Sequence, residues 1–518
     1  MEGCRMAMVF TIYIIVLVSF ASFKATVAAE EFAPAPAPME SKAAALGVPA
    51  ALGVIVSLLA CIASNMSPTF AKYFMIEANN SYISEVSRYQ TNLYKDMSEM
   101  VKELHVVMLP WSAFGHLMPF FQLSIALAKA KVHVSFISTP RNIERLPKIP
   151  PDLQPFINLV PIPFPPLEPD FLPEGAEASV DVPVQQYANL QVAVDLLQTP
   201  IKQFIADKMP DWIIADFFTY WVVDIAKEYD VPLAYFSVFS AAACVFFGPP
   251  EHLTGATRNG VLQTIQSLTS PREWITFPSL LALKDFEAVK QLLSWEVNKT
   301  GISGVCFAWR LARIISASQV LAIRTCSEIE GDYLEVYKKI TGKPVIPTGV
   351  LPPDQPGKRA EGEVNSDASM FDWLDKQKPR FADRTSEKGL VCFGWVPQME
   401  ILGHPSIGGS LFHSGWGSVI ETLQFGHCLV VLPFMYDQPL NARLLVEKGL
   451  AAEVKRNEDG SFSREEIAKS LRLAMVEEEG EQLRSNARKA AAVIGDHKLQ
   501  HDHYIGAFVN YLKNNVAK

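Results

Sequence analysis

From Leu104 onward, short unbroken apolar runs alternate with longer stretches of helical spacing, and this alternation limits the fold more than any other feature of the chain. "LHVVML", "VHVSFIST", "WIIAD", "VPLAYFSV" and "VLAIRT" are five to eight residues long and rich in β-branched side chains. That is the pattern of strands buried on both faces. Between them, stretches such as Leu117–Ala130 carry apolar residues at helical intervals. Strands alternating with helices predict an α/β, doubly wound parallel sheet, whose ligands gather at the carboxyl ends of the strands. A second set begins near Val345 and holds "LVCFGW", "GGSLFHS", "LVVLP" and "AAEVKR", followed by helices to the end. Two halves facing a cleft are expected, 104–344 and 345–518. "LPPDQPGKRAEGEVNSDAS", from Leu351 to Ser369, reads as a surface loop.

Composition narrows the class. Of 518 residues, 49% are hydrophobic and 19% charged, which permits large cores and excludes wholesale disorder. The net charge of -9, with no dense basic cluster, argues against nucleic acid as a partner. Seven cysteines, scattered and without CxxC spacing, suit the reduced thiols of a cytosolic enzyme better than a disulfide scaffold or a zinc site.

The first hundred residues follow a different pattern. Met6–Phe23 carries no charge between Arg5 and Lys24, and "ATVAAEEF" supplies small residues for cleavage near Ala29, so residues 1–29 have the form of a signal peptide. "APAPAP" follows, an alternation that extends as polyproline II. Ala43–Ala63 is then a run of 21 uncharged residues, long enough to span a bilayer. Residues 1–64 together resemble a plant arabinogalactan peptide precursor. The departure is an internal tail, since an anchor signal of that kind is read at a C-terminus. The expectation is two coding units joined, with residues 65–103 as linker and Met97 as the natural start of the second protein. That second protein would be cytosolic. The full chain would enter the secretory pathway and stop at Ala43–Ala63, its only membrane contact, with the enzyme body facing the cytosol.

In the second half, "GGSLF" is read as a strand, "HSGWGS" (His413–Ser418) as its carboxyl-end turn, and "SVIETLQFG" as the following helix closed by Gly426. A helix start offers unpaired N–H groups and a partial positive charge, both favourable to phosphate. Gly415 and Gly417 let the backbone approach a ligand closely, His413 and Ser418 can donate to phosphate oxygens, and Glu421 lies one turn on, within reach of a ribose. Read alone, the stretch also fits an ordinary glycine-rich turn with a core histidine.

Its surroundings decide between the two. Trp395–Gln438 reads "WVPQMEILGHPSIGGSLFHSGWGSVIETLQFGHCLVVLPFMYDQ", and this resembles the 44-residue signature box of plant family-1 UDP-sugar glycosyltransferases. The resemblance covers about Leu104 to Lys513 and implies a GT-B fold of two Rossmann-like domains. The N-terminal domain would bind the acceptor and the C-terminal one the UDP-sugar, a co-substrate rather than a cofactor. It implies that Trp395 stacks on uracil, with Val396 and Gln398 adding hydrogen bonds. His413, Gly417 and Ser418, with Trp416 on the same turn, would hold the diphosphate, Glu421 the ribose, and Asp437 and Gln438 the hydroxyls of the sugar. Gly417 stands where asparagine is usual. "HSGWGS", together with "LPWSAFGHLMPFFQLSIALA" and "SFSREEIAKSLRLAMVEEEG", resembles the rhamnosyltransferase-like branch that lengthens sugar chains on flavonoid, saponin or diterpene glycosides.

Transfer also needs a base. Imidazole titrates near neutral pH and serves there as a proton acceptor, which makes His116, in the loop after the first strand, the candidate base. Asp216, at the carboxyl end of "WIIAD", would orient the ring and stabilise its charged form. Each residue alone fits a structural role, as a loop histidine or a strand-end helix cap, but the pair matches the family's His/Asp dyad. The reaction implied is a direct displacement that inverts the anomeric centre, without metal. His404 and His427 read as structural.

One part is missing relative to the resemblance. "FDWLDKQKP" ends at Pro379 and runs straight into "RFADRTSEKGLVCFGW". Family length leaves roughly 55 residues unaccounted for near 379–381, more than one βαβ unit of about 30. The lost strand would be the first and central one of the second sheet, and its Gly/Ser turn would carry donor-phosphate contacts. The expectation is a sound N-terminal half, a poorly held C-terminal half and weak donor binding or none. A competing reading is an inactive paralogue or fusion product that binds a small glycoside or a partner without transfer. A third is a cell-surface arabinogalactan peptide with an irrelevant tail.

Overall fold

A computed structural model describes residues 103–254, 264–297, 305–353 and 396–516. The signal-like segment, Ala-Pro repeat, apolar run Ala43–Ala63, Met97, most of the loop expected over Leu351–Ser369, the Pro379–Phe381 junction, "LVCFGW" and Trp395 lie outside these residues.

Seven strands form the first sheet: β1 (His105–Leu109), β2 (His133–Ser138), β3 (Ile157–Pro161), β4 (Trp212–Ala215), β5 (Leu233–Ser237), β6 (Val320–Ile323) and β7 (Val345–Pro347). All pair in parallel in the order β3-β2-β1-β4-β5-β6-β7. Each apolar run becomes a strand because both of its faces are covered. Side chains alternate across a strand with period two. Val107, Leu109, Ile213, Ala215, Leu233, Tyr235, Leu321 and Ile323 therefore face one core. Val106, Met108, Trp212, Ile214, Ala234, Phe236, Val320 and Ala322 face another.

Helix α1 (Phe114–Lys129) follows β1 and packs Leu117, Phe120, Phe121, Leu123 and Leu127 into the second of these cores. The expected helix began at Leu117; it begins a turn earlier and so includes His116. Two further helices matter to the site: α2 (Ala241–Phe247) after β5, and α3 (Ser327–Thr341) after β6. Val345, expected to open the second set, instead starts β7, which pairs with β6 at the edge of the first sheet.

The second sheet has three parallel strands: β8 (Gly409–Phe412), β9 (Cys428–Val431) and β10 (Ala451–Glu453), in the order β10-β9-β8. Every residue of β9 is buried, as a central strand requires. Among the described residues β8 pairs with β9 alone, and Leu411 within it is 41% exposed. Helix α4 (Trp416–Leu423) follows β8, and α5 (Gln438–Glu447) follows β9. Trp416, Val419, Ile420 and Leu423 join the same core as β4 and β5, which couples the two sheets.

The last helix, α6 (Gly506–Asn514), returns to the first sheet. Phe508, Val509 and Leu512 complete its second core, and Trp212 Nε1 donates to Leu512 O at 3.0 Å. Among the described residues, no helix is long and apolar enough to cross a membrane, and no group of three His, Cys, Asp or Glu is placed to hold a metal ion.

Candidate active site

The order of the first sheet reverses between β1 and β4, which are adjacent although β2 and β3 intervene in sequence. Such a switch point opens a crevice at the carboxyl ends of the two strands. His116 and Asp216 stand there, in the first turn of α1 after β1 and immediately after β4. His116 Nδ1 lies 2.7 Å from Asp216 Oδ2. Asp216 is fixed in turn: its N–H donates to Leu109 O at 3.0 Å, and its Oδ1 accepts from Phe218 N–H at 3.3 Å. With Nδ1 donating to the carboxylate, Nε2 carries the lone pair and is free to take a proton. The side chain of His116 is 15% exposed and that of Asp216 2%, so the ring meets the crevice while the carboxylate stays dry.

Apolar rings pack around the imidazole. Phe217, Phe218 and Phe239 lie 6.1–6.2 Å from the His116 ring, and Trp111 stacks on Phe218 at 4.1 Å.

The opposite turn belongs to the second sheet. β8 ends at Phe412, and the chain then reverses through Ser414, whose φ is +63°, to start α4 at Trp416. The helix thus starts two residues before the Ser418 expected, with Gly417 and Ser418 in its first turn. His413 is exposed and folds back over Gly415, where a Cβ would stand 2.7 Å from His413 Nε2. Glycine at 415 is therefore what lets the ring lie there. Ser414 is wholly buried and bonds to His413 O and, at 2.8 Å, to Gln438 O. Trp416 is buried as well; its Nε1 donates to Arg324 O at 2.8 Å, so its side chain anchors the turn to the first sheet and leaves only its backbone facing the ligand side.

Other residues named from the sequence are engaged with one another. Gln398 Nε2 donates to Glu421 Oε2 at 2.7 Å, and Glu421 is a half-buried carboxyl whose pKa burial raises, against the pull of Arg324. Val396 is half-buried. Gln438 Oε1 accepts from Phe434 and Met435 N–H at 3.0 and 3.1 Å, which shapes the loop leading to Asp437. Burial raises the pKa of Asp437, and His116 and His413 both oppose that shift. The Asn441 hydrogen bond is the largest of the influences that oppose the rise. His404 accepts from Ser406 N–H through Nδ1 at 3.2 Å, and His427 is buried against Phe425.

Sequence reasoning missed Asn441. It lies one helical turn after Asp437, a spacing that could have flagged it, and is completely buried. Its Nδ2 donates to Ser414 O at 3.0 Å and to Asp437 Oδ2 at 2.8 Å, and its Oδ1 accepts from Ser240 Oγ at 2.7 Å. Ser240 caps α2, where Ala241 and Ala242 N–H also donate to the buried carboxylate of Glu330 at 3.1 and 2.8 Å. Asn441 therefore ties the His413–Ser418 turn to the helix that follows β5 of the first sheet.

Comparison with known proteins gives the family and the fold. Residues 362–488 match the family described as "UDP-glucoronosyl and UDP-glucosyl transferase". Soyasaponin III rhamnosyltransferase of Glycine max is 35% identical, over 80% of this chain and 96% of its own length. UDP-glycosyltransferase 91C1 of Arabidopsis thaliana is also 35% identical, over 79% and 97%. Among solved structures, Glycyrrhiza uralensis UGT73P12 complexed with glycyrrhetinic acid 3-O-monoglucuronide superposes with a TM-score of 0.62 at 20% identity, over 80% of this chain and 96% of that one, a likeness of fold. The chain belongs to the UDP-glycosyltransferases, the GT-B enzymes that use a UDP-sugar as co-substrate.

Proposed function

We propose that the enzyme transfers a hexose, with rhamnose favoured, from its UDP-sugar to a hydroxyl of a small terpenoid or flavonoid glycoside, with inversion at the sugar. The observation that carries this reading is the His116–Asp216 pair at the switch point, with aromatic rings packed around the imidazole. The acceptor O–H gives its proton to His116 Nε2. Its oxygen attacks C1 of the sugar from the face opposite the diphosphate, the new C1–O bond forms, and the old one breaks with its electron pair leaving on UDP. Asp216 holds the imidazolium that results. The aromatic rings around the imidazole support a flat, largely apolar aglycone, and the soybean relative's name supports rhamnose and a saponin. Residues 104–344 would hold the acceptor and 345–518 most of the donor contacts, with Trp395, Val396, Gln398, His413, Gly417, Ser418, Glu421, Asp437 and Gln438 on the donor side. A product beginning at Met97 would work in the cytosol.

The test is turnover by the full chain of a triterpene monoglycoside and a flavonoid monoglucoside, each with UDP-rhamnose and with UDP-glucose, and the product's anomeric configuration read by NMR. Faster transfer from UDP-rhamnose with inverted configuration is expected. Transfer with retention overturns the mechanism. Acceptor binding with no transfer from either donor instead identifies an inactive paralogue.

A further inference from the structure

The first sheet delivers a buried cation to the turn of the second. Arg324 follows β6 directly and is only 2% exposed. Burial draws the guanidinium pKa down to about 10, against the opposing pull of Glu421, which leaves it charged at neutral pH. Its Nε donates to Val350 O at 2.9 Å, and its Nη2 donates to Gln122 Oε1 at 2.8 Å and to Leu351 O at 2.9 Å. Those bonds consume the N–H of Nε and both N–H groups of Nη2, and all three acceptors are neutral. Nη1 keeps both of its N–H groups without a partner among the described residues.

Nη1 points at the first turn of α4, where a Cβ built on Gly417 would stand 3.6 Å from it. Two sources of positive charge therefore converge on one small volume: a helix start from the second sheet and a guanidinium from a strand end of the first. A buried cation bonded only to neutral acceptors is costly until an anion completes it. Glycine at 417 leaves open the space in front of Nη1 that a longer side chain would enter.

We propose that Arg324 is a donor-binding residue whose Nη1 donates to the diphosphate of the UDP-sugar. This rests on reading the His413–Ser418 turn as the donor site. As the bond from C1 to the phosphate oxygen breaks, UDP gains negative charge, and a guanidinium already fixed in place favours that charge more than the intact donor.

The experiment measures binding of UDP and of uridine, which lacks phosphate, to the full chain by calorimetry, for the parent and for Arg324→Gln and Arg324→Lys. A hydrogen bond to a charged group predicts a loss of UDP affinity of about tenfold to a hundredfold in Arg324→Gln, unchanged uridine affinity, and an intermediate value for Arg324→Lys. Unchanged UDP affinity in a folded Arg324→Gln protein overturns the assignment, as does a parent that binds UDP no better than uridine. A parent that binds neither overturns the donor reading of the turn itself, and the role of Arg324 with it. Should Arg324→Gln fail to fold for want of its bonds to Val350 and Leu351, Gly417→Asp sets a carboxylate in front of Nη1. The same selective loss of UDP is then expected, and parent-like UDP affinity again overturns the proposal.

Discussion

The two sheets carry their functional turns in different ways. In the first, β1 and β4 each lie between two hydrogen-bonded neighbours, and the His116–Asp216 pair inherits its position from strands that have little freedom to move. In the second, β8 is paired on one side among the described residues, with Leu411 facing solvent, and the turn it feeds is held by side chains instead. Ser414 bonds to Gln438 O, Asn441 to Ser414 O and Ser240, and Trp416 to Arg324 O. Two of these ties end on the first sheet or the helix after it. A strand-end site can thus be fixed by its own sheet or by a neighbouring one, and this enzyme uses one method on each side of its cleft.

The largest expected effect falls on the self-supported side. His116→Ala removes the proposed base and is expected to lower kcat by about a thousandfold, the middle of the range for general-base catalysis, with acceptor affinity retained. A loss under tenfold, measured at saturating substrates, means that another group takes the proton. Amide exchange reads the contrast directly. β4 amides are expected to exchange more slowly than those of β8 by at least about a hundredfold, because an edge strand opens without unfolding its sheet. Equal protection would show that β8 is as well held as β4.

The bridge between the sheets comes next. Asn441→Ala leaves Ser240 Oγ and Ser414 O without their partner, at about 1–3 kcal/mol for such buried groups. The expected signature is a raised KM for the donor with acceptor binding unaltered. Asn441→Asp, which sets a second carboxylate against Asp437 Oδ2 and Ser414 O in place of the donated bonds, should melt below Asn441→Ala at neutral pH and leave donor KM raised. A variant that raises both KM values equally would make Asn441 a general packing residue.

The smallest effect is one of acidity. Burial holds the His427 pKa down at about 4, below the usual value of 6.5. The unfolded chain therefore binds a proton that the folded chain refuses. Stability from this group is intact above about pH 6.5 and falls away toward pH 4, by up to about 2–3 kcal/mol. His427→Leu should melt like the parent at pH 7.5 and above it at pH 4.5. Parallel melting curves at both values would refute this account.

Much of this was legible beforehand because it is local. Unbroken apolar runs marked β1, β4, β5, β6, β8 and β9, and residue types at strand ends marked His116, Asp216 and the His413–Ser418 turn. What escaped depends on distance along the chain. Asn441 meets Ser240 across 201 positions, and nothing near either residue announces the other. "VIP" at Val345 is too short to state which sheet it joins, and proximity to β6 settles that only in three dimensions. Arg324 closes an apolar strand, a visible anomaly, but its target is set by a helix from the other sheet. Trp416 looked like part of the donor turn and proved to be its anchor, because its large ring is more stable in the shared core.

The return of α6 to the first sheet has a temporal consequence. Synthesis proceeds from the amino end at about 5–20 residues per second, and Phe508 leaves the ribosome 186 positions after Ala322 in β6. For on the order of ten to forty seconds the nascent first sheet therefore presents Val106, Met108, Trp212 and their neighbours without the helix that finally covers them. The seven-stranded sheet, the better built of the two when complete, is also the one that must wait for α6.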